Sequence, residues 1–246
     1  LPANQEAKRN RKQMKEAKKA KNEAKKNQKF MTDIIGKSDE EILQIAEQYL
    51  VIGKCKDEVT NVIKKSIEEK PEENGAKYLI AAEHLQGSEA VDYYKKGIQV
   101  LEKDYKRQEE EKEENKEEVG VPIPVKIASA FASIAELYMT PPLCDDAQAE
   151  KTCEGALLKA LEIDNENIDA LQCLANLRIL RMKDQEALVF LDRVLSITLK
   201  KEEAQEPLLM PSIDFRLQTA RLFIELQIFK KATKTLDTII KEDDSC

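Results

Sequence analysis

Apolar positions along this chain recur in a two-helix rhythm rather than at the alternating spacing of a strand. A small residue is followed, often three later, by an aromatic. About twelve after the small residue comes a small or β-branched one, then a bulky one four on and another apolar or small one three after that. Residues three and four apart share one face of a helix, so each set marks two helices that pack on one another. The last two sets are Ala175, Ala187, Leu191, Val194 and Ala220, Phe223, Ala232, Leu236, Ile239. An earlier set, Ala135, Tyr138, Cys153, Leu157, Ala160, is lengthened by six residues around TPPLCDDAQ. The first is Ala46, Tyr49, Val59, Ile63, Ser66 and Pro71, with one residue extra, and the second is a shortened Ala81, His84, Ala90, Tyr94, Gly97.

A helix pair of about 34 residues with this pattern is the tetratricopeptide signature. One such pair cannot bury its apolar face alone, so several stack into a solenoid. The predicted fold is therefore all-α, a tetratricopeptide-like superhelical solenoid of stacked helical hairpins over 38–246. Two stretches interrupt the stack. Residues 102–118 continue a helix as a charged run, and VGVPIP ends it by about 124, because residues before proline are pushed away from the α region. Residues 201–212, KEEAQEPLLMPS, form a loop before the last hairpin.

The corner in LLKALEIDNENIDALQCLANLRI, 157–179, poses a choice between a cation loop and a turn. Counted from Asp164 as an EF-hand, the sixth position is Asp169 instead of Gly and the twelfth is Ala175 instead of Glu. The corner is a hairpin turn, with Asp and Asn satisfying helix-end amides and Asp169 in the first turn of the next helix.

Composition agrees with helix: seven glycines, eight prolines and no tryptophan in 246 residues, 35% of them charged. Opening on Leu1 rather than Met suggests a fragment or a processed chain. Five cysteines (55, 144, 153, 173, 246) without a Cys-x-x-Cys pair, and a single histidine, assemble no zinc pattern, so reduced thiols are expected. No apolar run nears membrane-spanning length and the basic start lacks a signal-peptide core. Together these point to the cytoplasm or nucleus.

Charge changes the picture most. Residues 1–29 hold eleven Lys/Arg against Glu6, Glu16 and Glu23, a balance of +8, which leaves −15 for the rest of a chain of net −7. The segment 1–30 has helix propensity but no apolar face. It is expected to be a solvated helix or a disordered tail, with Lys8, Arg9, Arg11, Lys12, Lys18 and Lys19 as candidate contacts to nucleic acid or an import receptor, or a segment that docks onto the acidic body.

Catalytic chemistry finds little support. GKS at 36–38 lacks the earlier Gly of a phosphate loop, since that position is Met31. His84 sits where the repeat places an aromatic and reads as a packed residue. Without it no Ser/His/Asp or Cys/His set exists, so no enzyme, cofactor or metal is expected. The working surface is then the concave face lined by first helices. By spacing it includes Glu40, Leu43, Glu47, Tyr78, Ala82, Ala132, Glu136, Met139, Asp169, Gln172, Asn176, Asp214, Arg221 and Glu225, with Asp145, Asp146 and Glu150 on the rim. Its charges are mostly negative and would attract a basic extended segment. Of the basic clamp that tetratricopeptide modules use on acidic chaperone tails, only Asn176 matches. Gln172, Asp214 and Gln218 occupy the other positions.

Four stretches carry a closer likeness: HLQGSEAVDYYKKGIQVLEK at 84–103, ASIAELYM at 132–139, LCDDAQAEKTCEGALLKALEIDNENIDALQCLANLRI at 143–179 and MPSIDFRLQTARLFIELQIFKKATKTLDTIIKEDD at 210–244. They resemble the tetratricopeptide family of dedicated assembly chaperones for the fourth large-subunit ribosomal protein. The resemblance implies a non-enzymatic chaperone that captures a newly made basic ribosomal protein, shields its long basic loop and escorts it to precursor large subunits in the nucleus. Pro141–Pro142 and the basic segment 1–29 depart from the family pattern. The alternative is an RNA- or ribosome-binding factor acting through that segment, with the repeats as scaffold.

Overall fold

The computed structural model describes residues 29–51 apart from 31, 36 and 38, then 56–110, 121–204 and 210–243. Every regular element among them is helical. The chain divides into two compact units, Leu1–Leu85 and Gln86–Cys246.

The first unit contains α1 (Asp39–Val51), α2 (Lys56–Glu69) and the short α3 (Ala76–Ala82). Helix α2 packs on both of the others. Phe30 is fully buried, with its ring centroid 5.1 Å from that of Tyr49, and the Tyr49 hydroxyl donates to Asp33 at 2.6 Å. The C-terminal end of α2 is closed by a cation. Lys77, 1% exposed, donates from Nζ to the Ser66 carbonyl at 3.0 Å and to the Lys70 carbonyl. A buried ammonium is sustained there because helix-end carbonyls carry partial negative charge.

The second unit contains α4 (Gly87–Glu110), α5 (Ile123–Tyr138), a 3-10 turn (Leu143–Asp145), α6 (Ala149–Ile163), α7 (Ile168–Leu180), α8 (Asp184–Glu203), α9 (Ile213–Glu225) and α10 (Phe229–Asp243). Helices α5–α6, α7–α8 and α9–α10 form hairpins. Successive hairpins stack, with α6 on α7, α8 on α9 and the first helices α5 and α7 in direct contact. This is the all-α stacked-hairpin architecture of tetratricopeptide repeats. The small positions Ala135, Ala160, Ala175 and Ala187 are fully buried, as are Leu157, Leu191 and Phe223. Helix α4 buries a stripe from Ala90 to Leu101 and then continues as a solvated charged run to Glu110. Proline begins the next helix, with Pro122 as its N-cap residue and Pro124 in its first turn, where no amide is lost to the ladder.

The turns inside the last two hairpins are alike. After α7, the amide of Met182 donates to Ile179 and that of Lys183 to Arg178, both at 2.8 Å. After α9, Gln227 donates to Ile224 at 2.9 Å and Ile228 to Phe223 at 2.8 Å. These are paired helix-end bonds that need a left-handed residue, and Met182 (φ 56°) and Gln227 (φ 60°) supply it without being glycine. In the last hairpin the pattern is also modified at Leu236 and Ile239, which are only half-buried, while Thr235 and Thr238 are fully buried. The cause is Arg216 on α9, 1% exposed, whose Nη1 donates to the Thr238 carbonyl at 3.0 Å and hydroxyl at 3.3 Å while Nη2 pairs with Glu242.

Candidate binding surface

The corner at Asp164–Asn167 sets where the acidic residues of the second unit stand. The Asp164 carboxylate accepts the Glu166 amide at 3.1 Å, and the Asn167 side chain caps α7 by accepting the Ala170 amide at 2.9 Å. Asn167 also donates to Ser129 of α5 at 3.4 Å, which fixes α7 beside α5. Asp169 thereby falls in the first turn of α7, on the side facing α5.

Glu136 of α5 and Asp169 come together around Cys173, whose thiol donates to Glu136 at 3.7 Å. Both carboxyls keep surface in solvent but are crowded on their protein sides. Burial pushes the Glu136 carboxyl above its ordinary value, and the nearby Asp169 charge adds to the rise. Asp169 is raised by burial too, opposed by Lys201 at the end of α8. Among the described residues neither carboxylate has an ion-pair partner within contact distance. The Cys173 thiol, held up by burial and by both acids, stays protonated. Asp214 and Glu225 are exposed at opposite ends of α9, with Arg221 exposed between them. Met139 is half-buried at the end of α5, and Asn176 is half-buried one turn beyond Cys173.

Several predicted surface residues have other duties. Tyr78 is 5% exposed and donates its hydroxyl to the Pro71 carbonyl at 3.0 Å, so it closes a turn instead of facing a groove. Leu43, Ala82 and Ala132 are buried as well. Gln172 is spent on the frame, since its side-chain amide donates to the Phe215 carbonyl at 3.1 Å and to the Thr219 hydroxyl at 2.7 Å, stitching α7 to α9. Asp145 and Asp146 are exposed at the α5–α6 connection, where Asp146 accepts the Gln148 amide at 2.7 Å and serves the local turn. Glu150 pairs with Arg181 in a network joining α6, α7 and α8. Within it Glu154 binds Arg178 at 2.6 Å and Arg181 at 2.9 Å, and Arg178 reaches Glu186 at 2.8 Å. The side chains of Glu40 and Glu47 lie outside the described residues, as do Lys8, Arg9, Arg11, Lys12, Lys18 and Lys19. Lys37 of the GKS triplet pairs with Glu41 at 2.8 Å.

The periodicity did not single out the exposed apolar side chains at the C-terminal ends of two first helices. Leu180 is 69% exposed and Met182 91%, at the end of α7 and in its turn, while Ile224 at the end of α9 is 48% exposed. The repeat position of Ile224 matches that of Met139 and that of Leu180 adjoins it, which would have been the signal.

No family model matches the chain. It is 30% identical over 210 residues to a probable assembly chaperone of rpl4 from Schizosaccharomyces pombe, covering 85% of this chain and 59% of that protein. A protein of the same description from Emericella nidulans is 25% identical over 167 residues, 68% of this chain and 38% of that one. The chain thus spans between about two fifths and three fifths of the length of these curated relatives. Among solved structures, an assembly chaperone of RpL4 (Acl4, residues 1–338) superposes with a TM-score of 0.67 at 22% identity, over 83% of this chain and 76% of that one. In sequence and in fold the chain resembles the tetratricopeptide-repeat assembly chaperones of the fourth large-subunit ribosomal protein.

Proposed function

We propose that the chain acts by binding rather than by catalysis, as a dedicated chaperone that holds a basic large-subunit ribosomal protein and delivers it to ribosome precursors. The relatives are named as assembly chaperones of rpl4, and a ribosomal protein presents a dense positive charge that must be covered before it meets RNA. The observation that carries the reading is the Glu136–Asp169 pair. Among the described residues these two crowded carboxylates have no basic neighbour in contact, and a Lys or Arg of the client relieves both at once. Asp214 and Glu225 continue the negative surface onto the next hairpin.

No helix among the described residues is long and apolar enough to cross a membrane. Movement between cytoplasm and nucleus with the client follows from the proposed role. The test is titration calorimetry of the full chain against the basic loop of the ribosomal protein at low and high salt. Binding that weakens with salt and is lost in the Glu136→Lys/Asp169→Lys double variant supports the reading, and no heat at either salt sinks it.

The +8 balance of residues 1–29 favours a second activity, contact with ribosomal RNA or an import receptor through Lys8, Arg9, Arg11, Lys12, Lys18 and Lys19. Removing those residues would abolish RNA binding while leaving client affinity intact. Loss of client affinity instead would make the segment part of the chaperone surface.

A further inference from the structure

The three hairpins of the second unit differ most in the links between their helices. The α7–α8 and α9–α10 links take three residues each, 181–183 and 226–228, whereas the α5–α6 link takes ten, 139–148. A hairpin that closes in three residues does not need ten, so the added length calls for a reason other than closure. Pro142 rests against Gly87 at the start of α4, where an added Cβ would stand 3.4 Å from its ring. Leu143 is half-buried, and every other residue of 140–148 is exposed. The bonds that shape the start of the link are local. The amides of Leu143 and Cys144 both donate to the Thr140 carbonyl at 3.1 Å, and the Thr140 hydroxyl donates to the Leu137 carbonyl at 3.2 Å. Opening so few exposed bonds costs little beside unfolding a packed helix. Thr140 is also the one Ser or Thr in the chain that precedes a proline, Pro141. Four residues separate it from Glu136, a rise of about 6 Å along a helix.

We infer that Thr140 is a phosphorylation site for a proline-directed protein kinase, and that its phosphate adds charge beside Glu136 and tightens the hold on a basic client. In the transfer the threonine Oγ attacks the γ-phosphorus of ATP. The bond from that phosphorus to the oxygen bridging it to the β-phosphate breaks, ADP leaves, and the hydroxyl proton passes to the carboxylate base of the kinase. The ester carries about −1.5 to −2 charges at neutral pH. It stands just past the C-terminal end of α5, where the helix dipole repels an anion, so the phosphate is not drawn onto α5 and stays open to solvent and client. The site stands on the exposure of the link and on its sequence, while the effect on the client rests on the chaperone reading. With Asp145 and Asp146 already exposed on the same link, the modification strengthens a negative surface instead of reversing one.

The test treats the full chain with magnesium ATP and a purified mitogen-activated protein kinase, which requires the proline but no cation three residues after the acceptor, where Leu143 stands. Mass spectrometry of proteolytic peptides should place a phosphate on Thr140, and the Thr140→Val and Pro141→Ala variants should each lose it. Both substituted positions are exposed, and unfolding midpoints equal to the parent's would confirm that the variants fold. Titration against the basic loop of the ribosomal protein then compares the modified and unmodified chains. A doubly charged anion about 8 Å from a client cation predicts binding about three- to fivefold tighter at low salt, a gain that vanishes in high salt. Kinase-treated Thr140→Val should bind as the untreated parent does. Absence of phosphate from Thr140 overturns the site and leaves the chaperone reading standing. Phosphate on Thr140 with equal or weaker loop binding overturns the tightening. Loop binding by neither form overturns the chaperone reading and the tightening together, and the phosphate found on Thr140 still upholds the site.

Discussion

Replacing Gln227 with glycine should stabilise the protein. Gln227 ends α9 with φ at 60°, and its exposed side chain makes no hydrogen bond that the substitution would remove. A Cβ in the left-handed region clashes with its own backbone at a cost of about 1–2 kcal/mol, whereas glycine adopts it freely. Against this stands the larger conformational freedom that glycine gives the unfolded chain, about 0.5–1 kcal/mol. The net gain is about 0.5–1 kcal/mol, and the paired amide bonds to Ile224 and Phe223 stay in place. For a chain of this size that is a rise of about 2–4 °C per kcal/mol in the midpoint of thermal unfolding, read by far-ultraviolet circular dichroism. Gln227→Ala serves as the control, because alanine keeps the Cβ and should gain nothing. A fall in midpoint for Gln227→Gly, or an equal rise for Gln227→Ala, would refute the argument that the left-handed turn is a cost carried by this residue.

Other outcomes follow from the same structure. Glu136 and Asp169 have folded values raised above 4.5 and 3.8, so the folded state holds more protons than the unfolded one. Their contribution to stability therefore falls as pH rises through that region, and Glu136→Gln/Asp169→Asn should flatten the fall in urea midpoints measured from pH 4 upward. Glu154 is held below its ordinary value, first by its hydrogen bond from Arg178, so its support is present near neutrality and is lost as pH drops through the lowered value. Glu154→Ala leaves the largely buried Arg178 and the half-buried Arg181 short of a partner and should cost about 1–2 kcal/mol in urea unfolding at pH 7, a cost that shrinks as pH drops through the lowered value. Arg216→Ala empties a fully buried site and strips Thr238 and Glu242 of their donor, a loss of about 2–4 kcal/mol; amide exchange should quicken in α10 before it does in α7.

What the sequence made legible and what it hid divide along a physical line. Small residues at helix crossings, such as Ala135, Ala175 and Ala220, have one job and one pattern, and they are buried where the spacing put them. The outward face is set by side-chain direction and by the exact register of each unit, which an inserted or missing residue shifts. Leu43 and Tyr78, which the spacing assigns to the surface, stand three residues before the buried Ala46 and Ala81 in the same helices, and that shared face turns both to the core. Helix α3 has only seven residues, so most of its side chains turn inward. Polar residues hide their roles more thoroughly. Nothing in the spelling of the chain distinguishes Gln172, which stitches α7 to α9, from Gln218, which is exposed, or marks Arg216 and Lys77 as buried cations answering helix-end carbonyls and hydroxyls. The left-handed turns were equally silent, because Met and Gln stand where glycine would have announced them. The corner DNEN, by contrast, declared itself through the absence of a glycine and a closing glutamate.

Asn167 and Gln172 each bind across to a neighbouring first helix, one toward α5 and the other toward α9. Packed helices sit about 8–10 Å apart, and an extended chain covers that distance in about three residues. Tied at both sides, α7 keeps its register against its neighbours, so in the proposed role the Glu136–Asp169 pair and Asp214 would be two marks about one helix spacing apart. A client with cations about three residues apart would meet both marks, and one of equal charge at another interval would not.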